Sequence, residues 1–86
     1  MRVVIPDALR SYTDQQDQVQ AQGSTLDELL HDLDRQFPGI RFRMIDEQDG
    51  IRADVRIFVN RVSVAGLGEA LAPGDEVQIL QALSGG

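Results

Sequence analysis

The sequence contains no cysteine, no tryptophan and no lysine, and aromatic residues make up only 5% of its 86 residues. Without cysteine, disulfide scaffolds, thiolate metal sites, cysteine nucleophiles and CxxC redox chemistry are all excluded. The single histidine, His31, has no second imidazole to share a metal with, so no metal site is expected. No apolar run approaches the ~20 residues that would span a bilayer. The N-terminal run Met1 to Ile5 is interrupted by Pro6 and Asp7 too early for a secretory signal, and a cytoplasmic protein is the expectation. Positive charge is also scarce. Eight arginines face 14 carboxylates, giving a formal net charge of -6, which argues against neutralising nucleic-acid phosphates or an anionic membrane. Because every basic residue is Arg, the N-terminus is the only primary amine in the chain. A chain of this length makes one domain and buries roughly 60–65% of its unfolded surface around one core.

What is present reads as short strands around one helix. Residues 2–9 begin with the β-branched run Val3-Val4-Ile5, a buried strand with Pro6 at its end. Leu9 to Gln16 is polar and turn-like, and Asp17 to Gly23 alternates polar and apolar, as a strand with one wet face does. The two strands make a hairpin. Leu26, Leu29, Leu30, Leu33 and Phe37 then fall on one stripe of a helix over about 25–37. Thr25 and Glu28 hold the capping-box spacing at its start, and Pro38-Gly39 ends it. Gly39 to Asp54 carries scattered apolar residues and reads as a long loop with anchoring side chains. Val55–Val59 and Val62–Val64 are strands joined by a tight Asn60-Arg61 turn whose type the residues leave open. Ala65 to Ala72 is a connection with a short helical turn. Pro73-Gly74 has a type II turn signature, and Asp75 to Leu83 is the last strand. The implied fold class is α+β: a mixed sheet of about five strands covered by one main helix, with β-grasp as the leading arrangement. Residues 1–83 form the domain and 84–86 a flexible tail.

Few residues suggest chemistry. His31 lies off the apolar stripe and reads as a solvated helix residue. Asp27, Glu28, Asp32 and Asp34 form the wet face of that helix, and Asp46, Glu47 and Asp49 a solvated loop. Gly66-Leu67-Gly68 lacks the lysine and hydroxyl of a phosphate loop. Five arginines fall between Arg41 and Arg61; they are either a solvated charged edge or a patch that meets an anionic group on a partner. The end of the chain is more specific. Leu83 to Gly86 reach about 13 Å beyond the last strand if extended. Two terminal glycines let a backbone thread a narrow channel and leave its last carbonyl open to attack. In the last strand, Val77 and Ile79 face the core, so Leu80 points outward, an apolar side chain free for a partner.

Taken together, Ile57-Phe58-Val59-Asn60, Gly74-Asp75-Glu76-Val77-Gln78-Ile79-Leu80 and Gly85-Gly86 resemble the MoaD/ThiS/CysO group of ubiquitin-like sulfur carrier proteins. Ile5-Pro6, Leu9-Arg10 and Thr25-Leu26 fall at family positions too. The resemblance implies a β-grasp protein that is a co-substrate rather than an enzyme. A ubiquitin-activating-type adenylyltransferase, MoeB/ThiF-like, would use ATP and Mg²⁺ to turn the Gly86 carboxylate into an acyl-adenylate. A persulfide sulfur would displace AMP and leave a thiocarboxylate for a sulfur-accepting synthase. Gly86 would carry the sulfur, and Gly85, Ser84, Leu83, Leu80 and Phe58 would contact partners. No cofactor would be bound by the carrier itself. Cysteine synthesis, and secondarily molybdopterin synthesis as the small synthase subunit, are the acceptors implied first, with secondary-metabolite synthesis and transfer-RNA thiolation left open beside them. A modifier conjugated through Gly86 to target lysines, and a non-covalent β-grasp interaction module, are the alternatives. The absence of lysine suits a chain whose own carboxylate becomes an activated acyl group.

Overall fold

The structure, a computed structural model, describes residues 1–82. Five strands form one sheet: β1 (Arg2–Val4), β2 (Gln18–Gln20), β3 (Val55–Val59), β4 (Val62–Ser63) and β5 (Glu76–Gln81), in the spatial order β2-β1-β5-β3-β4. The central pair β1 and β5 is parallel, with Val3 beside Val77, and every other pairing is antiparallel. The first and last strands therefore lie side by side, the arrangement of a β-grasp sheet. Alternation along the strands sends Val3, Val19, Ile57, Val77 and Ile79 to one face, where all are buried.

That face is covered by α1 (Leu26–Gln36), whose Leu26, Leu29, Leu30 and Leu33 are all fully buried. Each buried leucine contributes about 1.5–3 kcal/mol relative to exposure. The helix begins at Leu26 because its free backbone donors are met locally. Thr25 Oγ1 accepts from Glu28 N–H at 3.2 Å. Leu26 and Asp27 N–H donate to Glu69 and Leu67 carbonyls in the connection before β5, at 2.9 and 3.0 Å. The Glu28 carboxylate reaches back one residue further than a capping box prescribes, accepting from Ser24 N–H at 2.9 Å. Gly39 ends the turn after α1 with φ 97°, a left-handed conformation that suits glycine.

Three local expectations are corrected. Residues 7–12 form a single 3₁₀ segment, Asp7–Tyr12, rather than a polar turn, because Leu9 is fully buried and pins the segment under the sheet end. The first strand correspondingly stops at Val4. The Gly39–Asp54 connection contains a second helix, α2 (Ile40–Met44), which buries Ile40 and Met44 one turn apart. An Ile45–Ile51 bridge then closes the rest of that segment. The anchoring side chains expected there are present; the loop between them is more ordered than the sequence suggests. Finally, residues 65–72 carry no helical turn. A tight turn at 67–68 leads instead into a Thr25–Ala70 bridge that ties this segment to the start of α1.

The β3–β4 turn has φ 49° at Asn60 and φ 71° at Arg61, which makes it type I′, the form whose twist matches a hairpin. The turn before β5 is type II: Asp75 N–H donates to Ala72 carbonyl at 3.1 Å with Gly74 at φ 91°.

Candidate functional site

Among the described residues, the sheet face opposite α1 has no helix over it. Strand pairing sets Phe58 beside Gln78 and Arg56 beside Leu80 across β3 and β5, while Val4 lies beside Gln78 across β1 and β5. All of these alternate with core residues and so point to the open face. Leu80 is 44% exposed, and Phe58 and Val4 are half-buried. The sequence-predicted partner residues Leu80 and Phe58 thus share one surface, set diagonally across adjacent strands. Val4 was missed: in the run Val3-Val4-Ile5 every residue looks like core, and only the sheet register shows that the middle one faces outward.

Leu80 stands between two shallow depressions that flank the last described residues. One, of about 370 Å³, is lined by Val4, Pro6, Arg10, Gln78 and Leu80 among others. The other, of about 310 Å³, is lined by Ala53, Asp54, Arg56, Leu80, Gln81 and Ala82. Arg10 is fixed at the rim of the first by donating from Nε to Ile5 carbonyl at 3.2 Å and by an ion pair with Asp7. Gln81 Nε2 donates to Asp54 at 3.1 Å, which ties the end of β5 to the segment entering β3. Arg2 and Glu76 pair across β1 and β5 farther back on the same face. The other predicted site residues, Leu83, Ser84, Gly85 and Gly86, lie outside the described residues.

The most distinctive motif residues turn out to be structural. Asn60 Nδ2 donates to Asp75 Oδ1 at 2.9 Å, and Asn60 Oδ1 accepts from Glu76 N–H at 3.0 Å. Asp75 Oδ2 accepts from Ala72 N–H at 2.8 Å. The Ala72 amide, and after it the Asn60 side chain, hold the Asp75 carboxyl below the usual carboxylate range. This network clamps the β3–β4 turn to the turn that launches β5, so it aims the last strand and does no chemistry.

Among the described residues no group of three or more His, Cys, Asp or Glu could hold a metal ion. His31 lies 3.5 Å from Asp27 on the exposed side of α1. The helix carboxylates are engaged in ordinary surface contacts. Asp32, for example, pairs with Arg35 and accepts from Gln22 N–H at 2.9 Å; Arg35 and then this amide lower its pKa. Among the described residues no helix is long and apolar enough to cross a membrane.

A five-stranded mixed sheet with parallel first and last strands, one long helix on one face and an open face leading to the C-terminal strand defines a ubiquitin-like β-grasp protein. The comparisons with known proteins agree. The sequence model of the ThiS family matches residues 3–86. Sulfur carrier protein CysO of Mycobacterium tuberculosis is 39% identical over 89 residues, spanning 98% of this chain and 96% of that one. The crystal structure of Mycobacterium tuberculosis CysO superposes with a TM-score of 0.89 and 38% identity, covering 95% of this chain and 98% of that chain. CysO in the Amycolatopsis orientalis BexX/CysO complex gives a TM-score of 0.91 at 32% identity, covering 99% and 98% of the two chains. SAMP1 from Haloferax volcanii gives 0.80 at 25% identity, covering 100% and 98%. The chain belongs to the ThiS family.

Proposed function

We propose that this protein is a sulfur carrier, a protein co-substrate whose Gly86 is loaded by one partner and unloaded by another. The observation that carries the reading is the chain-long match to a protein named as a sulfur carrier, at 39% identity over 98% of this chain. The family match runs to residue 86 and so takes in Gly85-Gly86.

In the loading reaction the Gly86 carboxylate attacks the α-phosphorus of ATP, held with Mg²⁺ by an adenylating partner, and pyrophosphate leaves. The terminal sulfur of a persulfide then attacks the acyl carbon and AMP leaves. A thiol reduces the resulting acyl disulfide, freeing the thiocarboxylate. The carrier supplies no acid, base or metal to these steps. Its contribution is presentation: the Asn60–Asp75 clamp aims β5, and the Leu80–Phe58 surface gives the partner an apolar foothold beside the emerging tail. Gly85 and Gly86 offer no Cβ to obstruct a channel. Ser84 and Leu83 would line the same channel.

The BexX/CysO complex of the Amycolatopsis relative supports a partner-docking role of this kind for the present chain. The relatives of 30% identity or more named above are CysO carriers, so the acceptor we assign is that of cysteine synthesis. Nothing favours the molybdopterin route, and it is set aside. The test is ATP–pyrophosphate exchange by the adenylating enzyme encoded in the same genome. Exchange should depend on this protein and disappear when Gly85 and Gly86 are deleted. No exchange with the full chain, by an enzyme that adenylates another carrier under the same conditions, would overturn the reading and favour a non-covalent module.

A further inference from the structure

On the other side of the β5 terminus from the Leu80–Phe58 surface lies a third depression, a basic one. It measures about 250 Å³ and is lined by Phe42, Arg43, Arg52, Asp54 and Gln81. Phe42 is 58% exposed, an unusual position for the largest apolar side chain type in this protein. The Arg52 guanidinium lies over its ring, 4.7 Å from the centroid, and Arg52 Nε donates to the Phe42 carbonyl at 2.8 Å. These two contacts hold the guanidinium beside the Phe42 ring, with Nε rather than a terminal nitrogen making the hydrogen bond.

The charge balance here is opposite to that of the chain. Arg43 and Arg52 have no carboxylate within 4.0 Å among the described residues, as is also true of Arg56 and Arg61 elsewhere on the surface, whereas Arg2, Arg10, Arg35 and Arg41 all do. Asp54, the one carboxylate in the depression, accepts from Gln81. In a protein of net charge -6, Arg43 and Arg52, side by side and without acidic partners among the described residues, form a basic edge on an acidic body. That edge adjoins the end of β5, and Gly86 is only five residues beyond Gln81, which lines the depression. A protein that takes Gly86 into its pocket is thereby brought close to it.

We propose that Phe42, Arg43 and Arg52 form a second docking point for the adenylating partner, meeting a rim of carboxylates around the pocket that receives the tail. The inference rests on the carrier reading above. A pocket that holds a carboxylate and ATP phosphates must be basic inside, and it attracts an acidic carrier in any orientation. An acidic rim selects the one orientation that brings the basic edge, and with it the C-terminus, to the entrance. Phe42 adds an apolar contact that the stacked Arg52 keeps in place.

The test is steady-state loading in the presence of a persulfide donor and a thiol, so that the acyl-adenylate turns over, read by pyrophosphate release, with Arg43→Glu/Arg52→Glu and Phe42→Ala variants over a salt series. Exposed substitutions of this kind leave the thermal melt within a few degrees of the parent, which checks folding. The expected result for the charge-reversed pair is KM raised about tenfold at low salt with kcat unchanged, and a flatter dependence of kcat/KM on salt. A second variant, Arg43→Lys/Arg52→Lys, keeps the charge and should recover most of the loss in KM. If the parent is adenylated and the charge-reversed variant has the same KM and salt slope, this inference is overturned while the carrier reading stands. A parent chain that is not adenylated at all overturns both.

Discussion

Replacing Asn60 by alanine tests the assignment of the most distinctive motif to structure rather than chemistry. Asn60 sits at φ 49°, a conformation asparagine tolerates and alanine does not, and the left-handed geometry costs alanine about 1 kcal/mol. Its Oδ1 also accepts from Glu76 N–H at 3.0 Å, a bond whose loss costs about 1 kcal/mol. Loss of the contact to Asp75 acts in the same direction. The sum is about 2 kcal/mol, and for a domain of this size that lowers Tm by roughly 8–16 °C. The assay is a far-UV circular dichroism melt at pH 7, with Asn60→Gly as the companion. Glycine keeps the left-handed turn but not the bond, and so separates the two contributions. Loading of the variant at 25 °C, where it stays folded, should persist, because the clamp acts through the aim of β5 and lies outside the reacting atoms. A Tm within about 2 °C of the parent would refute the energetic reasoning. A normal Tm with abolished loading would move Asn60 into the site.

Three further outcomes follow from the same geometry. Leu80→Arg should leave stability within about 0.5 kcal/mol of the parent in urea unfolding, since the side chain is already 44% exposed, and should weaken loading; an unimpaired carrier would mean the open face is not where partners dock. Gly23→Ala should cost about 3 kcal/mol, because the added Cβ would lie 2.4 Å from Leu29 N, a backbone atom; a urea midpoint like the parent's would contradict that close approach. The lowered pKa values of Asp32 and Asp75 mean that their contribution is complete above the unfolded-chain value of about 3.9 and is lost as pH falls through it toward the lower folded values. The urea midpoint should therefore drop below about pH 4 and drop less steeply in Asp75→Asn; identical curves would show that the Asp75 contacts do not favour its charged form.

The parts of this fold legible in the sequence are those with a long repeat or a strict alternation. Five apolar residues at helical spacing between Thr25 and Pro38 are enough for α1, and Val77-Gln78-Ile79-Leu80 alone predicts that Leu80 faces outward. The helix α2 was illegible because it has a single turn. Ile40 and Met44 are one turn apart but follow Pro38-Gly39, and two apolar residues at that spacing look the same in a helix or a loop. Leu9 posed the same problem for the 3₁₀ segment. The partners of Asn60 are 15 and 16 positions away in sequence, and Phe42 and Arg52 are 10 apart, so neither the clamp nor the stacked pair follows from local pattern. The candidate site was legible in its residue types, through the resemblance and the strand period. Its flanks, Val4, Arg10 and Arg56, became visible only once the sheet order brought β1 and β3 to either side of β5.

The central claim is that Gly86 carries sulfur, and intact-mass measurement tests it most directly. The protein is incubated with ATP, Mg²⁺, a persulfide donor, a thiol and the adenylating enzyme of its own genome. The account predicts a mass gain equal to one sulfur replacing one oxygen, localised to the C-terminal peptide and absent when Gly85 and Gly86 are deleted. An unchanged mass, with an adenylating enzyme that loads another carrier under the same conditions, would contradict it.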